Sequence, residues 1–166
     1  MSNKVTNNKS IELLNKALAD ELSAALQYMF FHFHCHNQGY DLLASLFRKT
    51  AISEMIHCER LAERILFLKG EVTMKPAQQV VQIFSLKEML DLAKKMEQES
   101  MVEYNHWANK CSANSDAISK TLFESLVADE ENHFQQFEHE IESIEKFGLN
   151  YLALQSIERS KTKATD

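Results

Sequence analysis

EVTMKPAQQVVQIF, residues 71–84, is the stretch on which the fold turns. It contains Pro76, the only proline in the chain, and shows no helical face, whereas the segments on both sides of it do. Fourteen extended residues reach about 46–50 Å, and a 30-residue helix is about 45 Å long. The link is therefore long enough to run from one end of a helical bundle to the other.

Before it, apolar residues recur at helical spacing (Leu14, Ala17, Leu18, Ala25, Tyr28, Met29) in a helix at about 9–37 that ends before Gly39. A second helix occupies about 40–69 and stops at Gly70. After the link, Ser85 and Glu88 form a capping-box pattern that opens a third helix, about 85–110. Asn114 and Ser115 offer caps for a fourth, about 115–147, which ends at Gly148. A short fifth helix, about 150–160, leads into a polar tail. The first and second helices, and the third and fourth, are joined by a few residues, so each pair forms an antiparallel hairpin. The expectation is an all-α four-helix bundle with one long crossover and a short fifth C-terminal helix, a single domain over residues 1–166.

Composition agrees. Three glycines and one proline in 166 residues are too few for a fold that turns often, and 45% hydrophobic content fills one core of ordinary size. A formal charge of -6 disfavours nucleic acid and favours small cations as partners. The N-terminal MSNKVTNNK has no apolar segment behind it, and no apolar run reaches the roughly 18 residues of a spanning helix, so no membrane partner is expected. Cys35, Cys58 and Cys111 are an odd number with no C-x-x-C spacing, which suits a reducing cytoplasm.

Glu54-x-x-His57 in the second helix recurs as Glu130-x-x-His133 in the fourth, each placing a carboxylate and an imidazole one turn apart on one face. Such a pair alone is weak, because a coincidental match is expected from 18 glutamates and 7 histidines, and Glu103-x-x-His106 is a third. The register decides. Glu21 precedes Tyr28 by seven positions and Glu54 by 33; Glu97 precedes Tyr104 by seven and Glu130 by 33. The chain therefore consists of two hairpins related by an approximate two-fold axis.

The neighbours one turn away agree. Glu21 has Leu18, Ala17, Ala24 and Ala25 around it, and Glu130 has Val127, Leu126, His133 and Phe134. Glu97 is less clean because Lys94 lies one turn before it. Glu103 and His106 share a polar stripe with Glu99 and Lys110 and belong to the surface.

Four carboxylates in a core need compensating positive charge. Two divalent cations balance four negative charges, and oxygen with imidazole donors suits iron or manganese. One glutamate from each of two helices plus a Glu-x-x-His from each of the other two is the di-iron pattern of ferritin-like bundles.

On ELSAALQY (21–28), SEMIHCERLAERILFLKG (53–70), DEENH (129–133) and the FGLNYL that opens the last helix, the chain resembles a bacterioferritin from about residue 11 to 157. The resemblance implies that Glu21, Glu54, His57, Glu97, Glu130 and His133 are ferroxidase ligands for two iron ions per chain, with Glu54 and Glu130 bridging and Tyr28 beside them. It implies Met55 as the ligand of a haem b or related iron porphyrin shared between two chains. It further implies a homo-oligomer, a 24-mer built from two-fold dimers, that oxidises Fe(II) with O2 or H2O2, stores the ferric product and releases iron when a ferredoxin-like reductant supplies electrons to it.

Two departures bear on that likeness. Where some members carry a His and an Asp for an inner-surface iron site, this chain has Lys49 and Ser53, and a tryptophan near the end of the first helix is replaced by Gln38. His32, His34 and His36 are expected at the solvent or an interface, Cys58 has no assigned role, and Trp107 is expected to pack. The rival readings are a non-storing di-iron oxidoreductase, such as a peroxide reductase or oxygenase, and a metal-free interaction protein.

Overall fold

The structure, a computed structural model, describes residues 2–163. The polar tail expected at the C-terminus lies in part beyond residue 163, outside the described residues. Five helices follow one another, α1 (Ser2–Asn37), α2 (Asp41–Phe67), α3 (Leu86–Ala113), α4 (Ala117–Phe147) and α5 (Asn150–Lys163), with no strand among the described residues. Helix α1 starts at Ser2, earlier than the apolar pattern indicated: the polar run ahead of residue 9 holds no Gly or Pro, so a helix nucleated in the apolar part propagates through it.

Helix α1 packs on α2 and α3 on α4, as the short connections require. Three of these helices end in the same way. Tyr40 N–H donates to Cys35, Gly70 N–H to Ile65 and Asp116 N–H to Cys111, with the residue before each donor in the left-handed region: Gly39, Lys69 and Ser115. At the end of α2 the positive φ therefore falls on Lys69. Gly70 is needed for a different reason: a Cβ there would meet the Ile11 side chain at 2.7 Å.

Two capping expectations are corrected. Ser85 occupies the N-cap of α3 but makes no side-chain cap, and α4 is capped by Asp116, whose carboxylate accepts from Ser119 N–H, while Asn114 and Ser115 form the preceding turn.

The crossover lies along α1 in the same direction as that helix. Asn15 bonds Glu71 and Thr73, Ser23 bonds Gln78, Gln27 bonds Val81 through both ends of its amide, and Gln38 bonds Phe84. From Asn15 to Gln38 is about 35 Å of helix. Polar side chains of α1 thus satisfy a backbone that has no ladder of its own. The core is divided into two apolar layers, one around Leu14, Leu18, Leu61 and Phe123 and one around Phe31, Leu43, Phe47 and Phe137. The charged residues of the repeat lie between them.

Candidate metal centre

Glu21, Glu54, His57, Glu97, Glu130 and His133 come together at mid-bundle, each at most 6% exposed. They form two overlapping groups of possible ligands, Glu21, Glu54, His57, Glu130 and Glu54, Glu97, Glu130, His133, the only such groups among the described residues. His57 Nδ1 lies 2.9 Å from Glu54 Oε2, 3.2 Å from Glu130 Oε1 and 3.3 Å from Glu21 Oε2. His133 Nδ1 lies 3.0 Å from Glu54 Oε1, 3.0 Å from Glu130 Oε2 and 3.6 Å from Glu97 Oε2. Glu54 and Glu130 each turn one oxygen to either histidine, and Glu21 and Glu97 each serve one. The two rings are 5.9 Å apart.

One imidazole nitrogen donates at most one hydrogen bond, so two Nδ1 atoms cannot satisfy four carboxylates. Accordingly, both oxygens of Glu54 and Oε1 of Glu130 are buried and, among the described residues, accept no hydrogen bond. The same donors converge where cations would satisfy all of them at once, so the residues fit a pair of metal ions.

Electrostatics points the same way. Burial, reinforced by Glu54, pushes Glu21 up to about 7. Burial and Glu130 push Glu97 up to about 8 against the opposing pull of His133. Burial with the charges of Glu97 and Glu130 also raises Glu54. Burial opposes protonation of His133, but the carboxylates of Glu130, Glu54 and Glu97 overcome it and raise the ring to about 12. His57 is raised in the same way by Glu130, Glu21 and Glu54. The pocket retains protons that such groups release in water, because it lacks positive charge.

Around the ligands, Tyr28 Oη donates to Glu97 Oε1, and Tyr104 Oη donates to Glu21 Oε1 at 2.5 Å. Both tyrosines are fully buried. His57 Nε2 lies 3.2 Å from Asp129 Oδ2, and Asp129 is in turn held by Arg60, which also donates to Ser125. Tyr104 was visible in the repeat without being assigned to the site. Asp129 and Arg60 had no local signal, since an acid beside a ligand and a basic residue one turn after His57 are ordinary on helix surfaces.

Elsewhere the sequence expectations are met or sharpened. Lys94 turns away from Glu97 to pair with Glu138 at 2.7 Å, and Glu103 and His106 are exposed. Trp107 packs on Tyr104 and Phe123. His32 bonds the Ala44 carbonyl, His34 packs on Phe30 and Phe84, and His36 pairs with Asp41. Burial pushes the Cys58 thiol up to about 12, with Glu21 and Glu54 adding to the effect, so it stays protonated and outside both ligand groups.

The model of the ferritin-like domain family matches residues 11–147. Bacterioferritin of Desulfovibrio desulfuricans is 34% identical over 145 residues, covering 87% of this chain and 81% of the relative. That of Brucella melitensis is 34% identical over 140 residues, covering 84% and 87%. The chain belongs to the bacterioferritins. The X-ray structure of the Desulfovibrio desulfuricans bacterioferritin, which describes its diiron site in different catalytic states, superposes with a TM-score of 0.89 at 32% identity, covering 91% of this chain and 88% of that one. The Rhodobacter capsulatus bacterioferritin, with a metal-free dinuclear site and haem iron in a crystallographic special position, gives 0.85 at 31% identity, covering 90% and 93%. The four-helix bundle with its crossover and fifth helix is thus the bacterioferritin fold.

Proposed function

We propose that Glu21, Glu54, His57, Glu97, Glu130 and His133 hold two iron ions, with Glu54 and Glu130 shared between them and Tyr28 beside the site. The protein is an iron-storing ferroxidase that oxidises Fe(II) to Fe(III) with O2 or H2O2 and stores the ferric product as mineral within a homo-oligomeric shell. The observation that carries the site assignment is that Glu54 and Glu130 each face both histidines at once, while three of their four buried oxygens have no hydrogen bond among the described residues.

A pair of iron ions held there would supply two electrons to one oxidant molecule, which limits release of radicals. The surrounding residues prepare that chemistry. A proton on His57 Nε2, directed at Asp129, leaves the Nδ1 lone pair free toward the pocket. Tyr28 and Tyr104 fix the outer carboxylates, and the apolar layers above and below keep water out. Protons retained by Glu21 and Glu97 leave when cations enter.

Met55 would hold, through its thioether, a haem b or related porphyrin shared across a two-fold dimer. It is 47% exposed on α2, away from the metal centre, in an apolar groove of about 430 Å³ that Ile52, Ile56 and Met74 also line. A thioether suits haem iron and raises its potential. Exposed Leu154 and Ile157 on α5 support further contacts in the shell, proposed as a cytoplasmic 24-mer from which a ferredoxin-like reductant releases iron.

The deciding experiment is iron retained per chain after aerobic Fe(II) loading and gel filtration. Many tens per chain are expected; about two per chain identifies a non-storing di-iron oxidoreductase and rejects storage.

A further inference from the structure

Nearly everything in the metal centre occurs twice at an offset of 76 residues: Glu21 and Glu97, Tyr28 and Tyr104, Glu54 and Glu130, His57 and His133. Each tyrosine holds the outer carboxylate of the opposite hairpin. One feature is not duplicated. His57 Nε2 is held by Asp129, which Arg60 clamps at 3.1 Å while also donating to Ser125. At the position 76 residues before Asp129 stands Ser53, and Lys49 and Gln136 stand where the repeat would place the partners of Ser125 and Arg60. Among the described residues His133 Nε2 has no hydrogen bond; the contacts of that ring are all through Nδ1.

A carboxylate on the far nitrogen of a ligating histidine fixes its tautomer and ring orientation and makes the other nitrogen a stronger donor, an effect of about 10–100-fold in metal affinity. We infer that the two metal positions are unequal, that the Glu21–His57 position binds first and more tightly, and that Asp129, braced by Arg60, is the positioning residue that makes it so. The inference rests on the six residues being metal ligands. Because the six candidate ligands and the two tyrosines are duplicated, the difference in affinity is assigned to the missing counterpart of Asp129, the group in contact with a ligand histidine. Asp129 touches neither set of metal-facing atoms, so it acts through His57.

The test is anaerobic titration of the metal-stripped oligomer with Co(II), followed by calorimetry and by the visible absorption of the bound ion. Binding is expected in two steps separated by at least about tenfold. His57→Ala removes the tighter step and His133→Ala the weaker. Asp129→Asn weakens the tighter step by about 10–100-fold, alters the absorption of the first equivalent, and leaves the weaker step within about twofold. Asp129 has a 47% exposed side chain, so the isosteric change does not threaten the fold. Equal steps in the parent protein, a tight step that survives His57→Ala, or equal weakening of both steps by Asp129→Asn overturns the inequality and leaves the two-metal reading standing. Absence of any Co(II) binding overturns both.

Discussion

Glu54 is the residue in which the cost and the use of the site meet most directly. It is wholly buried, neither of its oxygens accepts a hydrogen bond, and two histidines share it. Burial and the charges of Glu97 and Glu130 raise its pKa, so above the ordinary carboxylate range it either retains a proton the unfolded chain has lost or bears a poorly solvated charge, and a neutral amide of the same shape removes that cost. Glu54→Gln is therefore expected to raise the melting temperature of the metal-free protein and to abolish tight binding of metal, measured by calorimetric scans with and without Zn(II). A lower melting temperature in the metal-free state counts against an uncompensated charge at this position. Met55, next in sequence, faces the exposed side of α2, since adjacent helical residues differ by about 100° around the axis. Met55→Leu keeps the apolar volume and is expected to leave iron oxidation intact while removing the absorption spectrum of methionine-ligated haem from the reconstituted protein; an unchanged spectrum excludes the thioether as ligand.

The ends of the helices matter as much as their faces. Asp116 caps α4 and joins it to α2, its Oδ1 accepting from Ser119 N–H at 3.1 Å and from Arg64 at 2.6 Å. Burial works against the ionised form, but bonds from Ser119, Ser10 and Arg64 outweigh it and hold the carboxyl below its ordinary range. Asp116→Ala removes both the cap and the ion pair and leaves Arg64, whose side chain is only 13% exposed, without its carboxylate, so a loss of about 2–4 kcal/mol is expected in denaturant unfolding. Asp116→Asn keeps a capping oxygen and should cost less; equal losses for the two variants would mean that the cap carries no share. The long crossover is organised by the same logic, with Asn15, Ser23 and Gln27 on α1 and Gln38 just after it accepting from and donating to its backbone.

Across the whole molecule, the metal centre makes stability depend on pH in opposite senses with and without metal. Glu21 at about 7 and Glu97 at about 8 are raised above their ordinary value of 4.5. Between that value and pH 8 the folded metal-free protein holds protons that the unfolded chain has lost, so its stability falls as pH rises. The raised histidines act in the same direction above pH 6.5. The metal-free protein should therefore melt at least about 4 °C lower at pH 8.5 than at pH 5.5, at constant ionic strength and protein concentration. With Zn(II) bound the trend should reverse, because metal binding releases those protons. A metal-free melting temperature that climbs with pH contradicts the proton-retaining core.

Helix periodicity, the 14-residue link and the duplicated Glu, Tyr, Glu, His spacing are properties of the chain taken in order. They were enough to set the bundle, the crossover and the six candidate ligand positions that the fold brings together, because a helix converts fixed spacing into a fixed face. Which residues support those ligands was not legible in that way. Tyr104 meets Glu21 across 83 positions, Asp129 meets His57 across 72, and Arg64 meets Asp116 across 52. Each of these contacts depends on the rotation and offset of one helix against another, which side-chain packing sets and local spacing does not encode. The sequence by itself determined the repeat and hence two sets of candidate ligands; only the packing of the hairpins decided that, among the described residues, one histidine has a carboxylate behind it and the other has none.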